Sequence, residues 1–155
     1  MFGSSPRIAG AATSEALFEA KSGALLHVSV HADMDAGNGV LRLYDRTVSA
    51  PEISARRLGP ALVVLSACST ARSPDPELAG ALSTAFLSAG SRRVVATLRP
   101  VRDDAAREVT SRFYDAGGAS DPVHVLARVQ AELTKTSNKE WPNFAVFGTD
   151  TCPNF

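Results

Sequence analysis

Two side chains capable of nucleophilic chemistry, His31 and Cys68, lie 37 positions apart in a chain of 155 residues. A free thiol has a pKa of about 8.5, so only a small fraction is thiolate at neutral pH. An imidazole beside it can take the proton, hold the ion pair, and later protonate a leaving amine. The backbone N–H groups of Cys68 and of Ala32, the residue after the histidine, could then form an oxyanion hole. Position alone leaves a second identity open for Cys68, that of a small buried hydrophobe.

Such a pair must be placed by the elements that end at it. Residues 61–70, ALVVLSACST, begin as an apolar, β-branched run and continue into small and hydroxylated residues. A run of that kind is a strand buried on both faces, as inside a parallel sheet. Cys68 falls at its carboxyl edge, where open α/β sheets place ligand crevices. Residues 24–30, ALLHVSV, form a second such strand that ends at His31-Ala32-Asp33. If the two strands are neighbours, His31 and Cys68 emerge at one sheet edge. His27 shares an odd-numbered strand face with His31 but lies deeper, which suits a satisfied core histidine.

The remaining pattern alternates helices and strands, which predicts an α/β layered sheet. A short helix is expected from a Thr13 or Ser14 cap to about Lys21, and a hairpin over residues 37–43 and 45–48. Residues 50–57 predict a short helix with Pro51 in its first turn. Residues 78–89 have helical apolar spacing and end at Gly90, and residues 93–98 form a third parallel-type strand. Asp103 is expected to cap a helix through about Tyr114, with Ala106, Val109 and Phe113 inward and Glu108 paired to Arg112. Asp121-Pro122 starts another helix, and residues 143–147 form a last strand.

Composition narrows the function classes. Lys+Arg and Asp+Glu both number 16, and no basic stripe or polybasic segment suggests nucleic acid or an anionic membrane. No apolar run reaches the length of a membrane span, and no signal-peptide pattern opens the chain. The two cysteines, Cys68 and Cys152, have unlike contexts, so a reducing cytoplasm is the expected compartment. Length fits one domain over residues 1–155.

Six collinear blocks resemble the CHAT family of caspase-like and separase-like cysteine peptidases. LLHVSVHAD is similar to the family's LHFATHG strand and LVVLSACST to its LVVLSACETG strand. ALSTAFLSAG, SRRVVATLRPVRDDA, Phe113-Tyr114 and residues 141–148 follow in the family's order. The resemblance implies a three-layer caspase-like (caspase-hemoglobinase) fold, with a mostly parallel sheet and helices on both faces. It also implies a cysteine endopeptidase that cleaves polypeptides with a Cys68–His31 dyad, an oxyanion hole at Ala32 and Cys68, and no cofactor or metal. A catalytically inactive caspase-like scaffold is the alternative.

Departures from the family pattern are specific. Ala32 stands where the family has Gly, and Ser69-Thr70-Ala71 where it has Glu-Thr-Gly. The family has two strands before the histidine strand, which are expected either on another polypeptide or to be missing from a pared-down variant. A protein partner or second chain is therefore expected along the edge of residues 24–30, which would otherwise be an exposed apolar edge. For substrate binding, Asp103 matches the position of an Asp in separase-like relatives that read a basic P1 residue, while a helix cap explains it equally. Arg99 replaces the family's usual Trp at the same crevice and would instead favour an acidic P1. Asp33 and Asp35, on the loop after His31, are weaker candidates for substrate binding, and solvated loop carboxylates are their default identity.

Overall fold

A computed structural model describes residues 12–19, 25–66 and 76–148, with side chains in the last stretch from residue 81. Cys68 and Cys152 lie outside the described residues. The first elements are α1 (Ser14–Phe18), β1 (Leu25–Val28), β2 (His31–Asp35), β3 (Asn38–Arg42), β4 (Thr47–Ser49) and α2 (Ala50–Ser54). There follow β5 (Leu62–Leu65), α3 (Pro76–Ser88), β6 (Arg93–Thr97), α4 (Asp103–Asp115), α5 (Pro122–Leu133) and β7 (Phe144–Gly148).

The main sheet has the order β1-β5-β6-β7. β1, β5 and β6 are parallel, and β7 returns antiparallel to β6. Every residue of β5 is buried, as the unbroken run Leu62-Val63-Val64-Leu65 requires of a strand covered on both faces. Alternation sorts the side chains between two cores. Val63, Leu65, Val94 and Ala96 pack with Leu82, Ala85 and Phe86 of α3. Leu62, Val64 and Val95 pack with Ala106, Val109 and Phe113 of α4 and Val125, Leu126, Val129 and Leu133 of α5. Helices thus cover both faces of a mostly parallel sheet, the caspase-like arrangement expected from the sequence.

The first histidine strand is shorter than the apolar run that announces it. β1 stops at Val28, and His31 opens β2, the first strand of a separate antiparallel sheet ordered β2-β3-β4. Strand parity therefore does not carry from His27 to His31. The hairpin predicted over residues 37–48 is present as β3 and β4, and β2 is an additional strand before it. Two residues, Ala36 at φ +48° and Gly37 at φ +80°, join β2 to β3. Positive φ at both central positions is the twist-matched hairpin turn.

A polar brace fixes this small sheet to its surroundings. Thr13 caps α1 as expected, accepting from the Ala16 amide at 3.2 Å. Asp45 accepts from the Ser14 amide at 2.8 Å and its hydroxyl at 2.6 Å. Arg46 meets Glu52 of α2 at 2.6 Å, and the guanidinium groups of Arg46 and Arg56 lie 5.7 and 4.4 Å from the centroid of the Phe18 ring.

One capping expectation is corrected. The N-cap of α4 is Arg102, whose φ of −70° and ψ of 149° are extended, and Asp103 is already the first helical residue. The Arg102 side chain makes no cap bond. Instead its amide donates to Glu140 Oε2 at 2.6 Å, and its guanidinium meets Glu140 Oε1 at 2.9 Å. The entry into α4 is thus held from across the fold, with no need for a capping carboxylate at position 103. Asp121 caps α5 as predicted, accepting from the His124 amide at 3.3 Å.

The left-handed Ala36 carries a steric cost of roughly 1–2 kcal/mol that glycine does not. Against this stands the greater unfolded-state entropy of glycine, about 0.5–1 kcal/mol. Ala36→Gly is expected to raise unfolding free energy by about 0.5–1 kcal/mol, measured by urea titration. An unchanged or lowered midpoint would contradict the turn.

Candidate active site at the carboxyl edge of the sheet

The register of β1 on β5 sets the geometry. Val28 pairs with Leu65, and the Ser66 amide donates to the Val28 carbonyl at 3.0 Å. From that matched pair, His31 is three residues farther along one chain segment and Cys68 three residues farther along the other. β6 lies in register beside β5, so Leu98 and Arg99 leave the sheet at the same edge. β7 runs the other way, which brings the 3-10 turn Trp141–Asn143 to that edge as well, with the Leu98 amide bonded to the Asn143 carbonyl at 2.6 Å.

His31 is exposed at the start of β2, directly across from Arg42. A two-residue turn closes on a hydrogen-bonded pair, so Asp35–Asn38, Asp33–Val40 and His31–Arg42 are the bonded pairs of this ladder. Ala32 falls between them. Its side chain is buried at 3% exposure in the core, and its amide turns away from β3 toward the outer edge of β2. The next outward amide, that of Met34, is taken by Asp33 Oδ1 at 2.8 Å. Ala32 itself has an ordinary negative φ; the one described non-glycine residue with positive φ is Ala36. An alanine where the family has glycine therefore imposes no backbone strain here.

The acidic and basic candidates lie on β2, on the segment after β6 and in the first turn of α4. Asp33 lies on the His31 face of β2 and pairs with Arg42 at 3.2 Å. That hydrogen bond, followed by the Met34 amide, holds its carboxyl below the usual range. Asp35 is exposed beside the turn. Arg99 and Asp103 are both exposed, Asp103 in the first turn of α4, and Asp103 is engaged by a partner of its own. Among the described residues, no group of three or more His, Cys, Asp and Glu could hold a metal ion. No described helix is long and apolar enough to cross a membrane.

His27 is the largest surprise. It is exposed at the edge of the sheet, so it is not the core histidine the sequence suggests. It is nevertheless fully engaged. Nε2 lies 2.9 Å from Ser66 Oγ, and Nδ1 lies 3.1 Å from the Tyr114 hydroxyl of α4. Alternation explains the meeting: Leu25, His27, Val64 and Ser66 face the α4 side, while Leu26, Val28, Val63 and Leu65 face α3. The Tyr114 ring shields one side of the imidazole at a centroid distance of 5.6 Å. Desolvation by burial pushes the His27 pKa down and the Tyr114 pKa up. Sequence reasoning missed Ser66 and Tyr114, because strand parity gives the face but not the helix residue above it.

A lowered imidazole pKa has a signed consequence. The unfolded chain binds a proton at His27 near the ordinary value of 6.5, whereas the folded chain resists it. Stability from this group is complete above 6.5 and is lost as pH falls through and below that value. The lowered carboxyls of Asp33, Asp45, Glu52 and Asp121 act only at more acid pH. The Tm is therefore expected to fall between pH 7.5 and 5.5, about the window of an imidazole, and His27→Gln should flatten that slope. Parallel slopes for the two proteins would contradict the assignment.

A family model described as the CHAT domain matches residues 2–149, nearly the whole chain. No curated protein matches it. The mostly parallel sheet and its helical layers agree with that match. The chain belongs to the CHAT domain family and, with it, to the caspase-like peptidase superfamily.

Proposed function

We propose that the protein is a cysteine endopeptidase in which Cys68 is the nucleophile and His31 its base. The single observation that carries this reading is the Val28–Leu65 register, past which His31 and Cys68 each follow by three positions in the sequence. His31 would take the thiol proton, the thiolate would attack the scissile carbonyl, and the imidazolium would protonate the departing amine. The outward Ala32 amide and the Cys68 amide would stabilise the oxyanion. A thiol and an imidazole suffice for these steps, with no metal or cofactor.

Substrate choice is assigned to Asp103, which would pair with an Arg or Lys at P1. The position supports it: Asp103 follows the exit of β6, next to β5, and stands in the first turn of α4 instead of at its N-cap. Arg99, on the same exit, favours the opposite choice, and a peptide library decides between them. The outer edge of β1 pairs with no strand among the described residues. A protein partner that adds a strand there would complete the sheet and could regulate the enzyme. A reducing, cytoplasmic compartment suits a working thiolate.

Labelling with an acyloxymethyl ketone that carries arginine at P1 tests the dyad. Covalent adduct is expected at Cys68, lost in Cys68→Ala and reduced at least about a hundredfold in His31→Ala. Adduct at Cys152 alone, or cleavage that persists in Cys68→Ala, would overturn the reading in favour of an inactive scaffold. For specificity, Asp103→Asn is expected to lower kcat/KM on a P1-Arg peptide by about tenfold or more, as for loss of a charge-assisted pair. An unchanged rate, or a wild-type preference for P1 Asp, would remove Asp103 from the substrate site.

A further inference from the structure

Outside the His31–Cys68 pair, one cluster on the described surface joins three side chains from three elements into a single chain of hydrogen bonds. Tyr114 of α4, His27 of β1 and Ser66 just past β5 are linked at 3.1 and 2.9 Å through the two nitrogens of one ring. Its far end matters most. Ser66 is the last described residue before the segment that carries Cys68, two positions before the thiol. Its amide is already fixed to the Val28 carbonyl at 3.0 Å, so the relay adds a side-chain hold to a backbone hold.

The direction of the relay follows from elementary acid–base chemistry. Phenol is the better donor and neutral imidazole the better acceptor, so the Tyr114 hydroxyl donates to Nδ1. Nε2 then carries the hydrogen and donates to Ser66 Oγ. Partial desolvation where the two rings meet favours the neutral forms of Tyr114 and His27 that this arrangement needs. The Ser66 hydroxyl hydrogen is left for an acceptor beyond itself.

We propose that Tyr114, His27 and Ser66 are positioning residues that fix the point from which the nucleophile segment leaves β5. This inference rests on Cys68 being the nucleophile. A sheet edge is a poor place to lock a rotamer by packing alone, because β1 has no outer neighbour among the described residues. Hydrogen bonds from both sides of the ring supply the missing constraint. Reacting atoms must be held to within a fraction of an ångström for an efficient attack, so loosening the take-off point lowers the chemical step without touching the substrate pocket.

The test uses the arginine acyloxymethyl ketone and separates the inactivation rate constant from the apparent affinity. Ser66→Ala and Tyr114→Phe are each expected to lower the rate constant at Cys68 on the order of tenfold, with affinity unchanged. The double variant should be no slower than the slower single variant, because the three groups act as one relay. Ser66→Thr, which keeps the hydroxyl, should restore the rate. A full rate in either single variant, multiplied losses in the double variant, or failure of Ser66→Thr to restore the rate would overturn the inference. Absence of any Cys68 adduct in the wild-type protein would instead overturn the nucleophile assignment, and this inference with it.

Discussion

The parallel pairing of β1 with β5 is the constraint on which the site depends. Each strand has only four residues, and a backbone hydrogen bond contributes a net of about 0.5–1.5 kcal/mol. A ladder that short does not fix its register unaided. Burial does. Val63 and Val64 are at most 1% exposed, one on each face, and full burial of such a side chain contributes about 1.5–3 kcal/mol. A slip of one residue would exchange the two faces and move Leu62 and Val64 out of the α4–α5 core. The register of β1 on β5 is therefore held by the cores on either side of the sheet, not by its carboxyl edge.

A second constraint shapes the histidine side. His31 does not extend β1; it opens a hairpin sheet whose ladder phase is set by the turn at Ala36-Gly37. That phase turns the Ala32 amide outward while its methyl group anchors in the α3 core. One residue thus joins the core to the candidate oxyanion site. The brace of Ser14, Asp45, Arg46 and Glu52 ties α1, the connection between β3 and β4, and α2 together.

Much of this was legible in the sequence because its signals are local. Apolar runs at residues 62–65 and 93–97, the helical spacing of Leu82, Ala85, Phe86 and Ala89, and the Asp121-Pro122 start all act within one element. What was not legible depends on distant partners. The apolar run at residues 24–30 gave no sign that β1 would stop at Val28, since the change to β2 is imposed by pairing with β3. Asp103 looked like a cap because nothing local reveals Glu140 reaching the Arg102 amide. His27 looked like a core residue because its apolar neighbours are local, whereas Tyr114 arrives 87 positions later.

The central claim is that the fold places an imidazole at His31 to ionise the thiol of Cys68. Its most direct test is the pH dependence of Cys68 alkylation by iodoacetamide, read by peptide mass so that Cys152 is counted separately. The wild-type midpoint should lie below the ordinary thiol value of about 8.5, and His31→Ala should return it toward that value. The same midpoint in both proteins would mean that His31 does not act on Cys68, and would contradict the account.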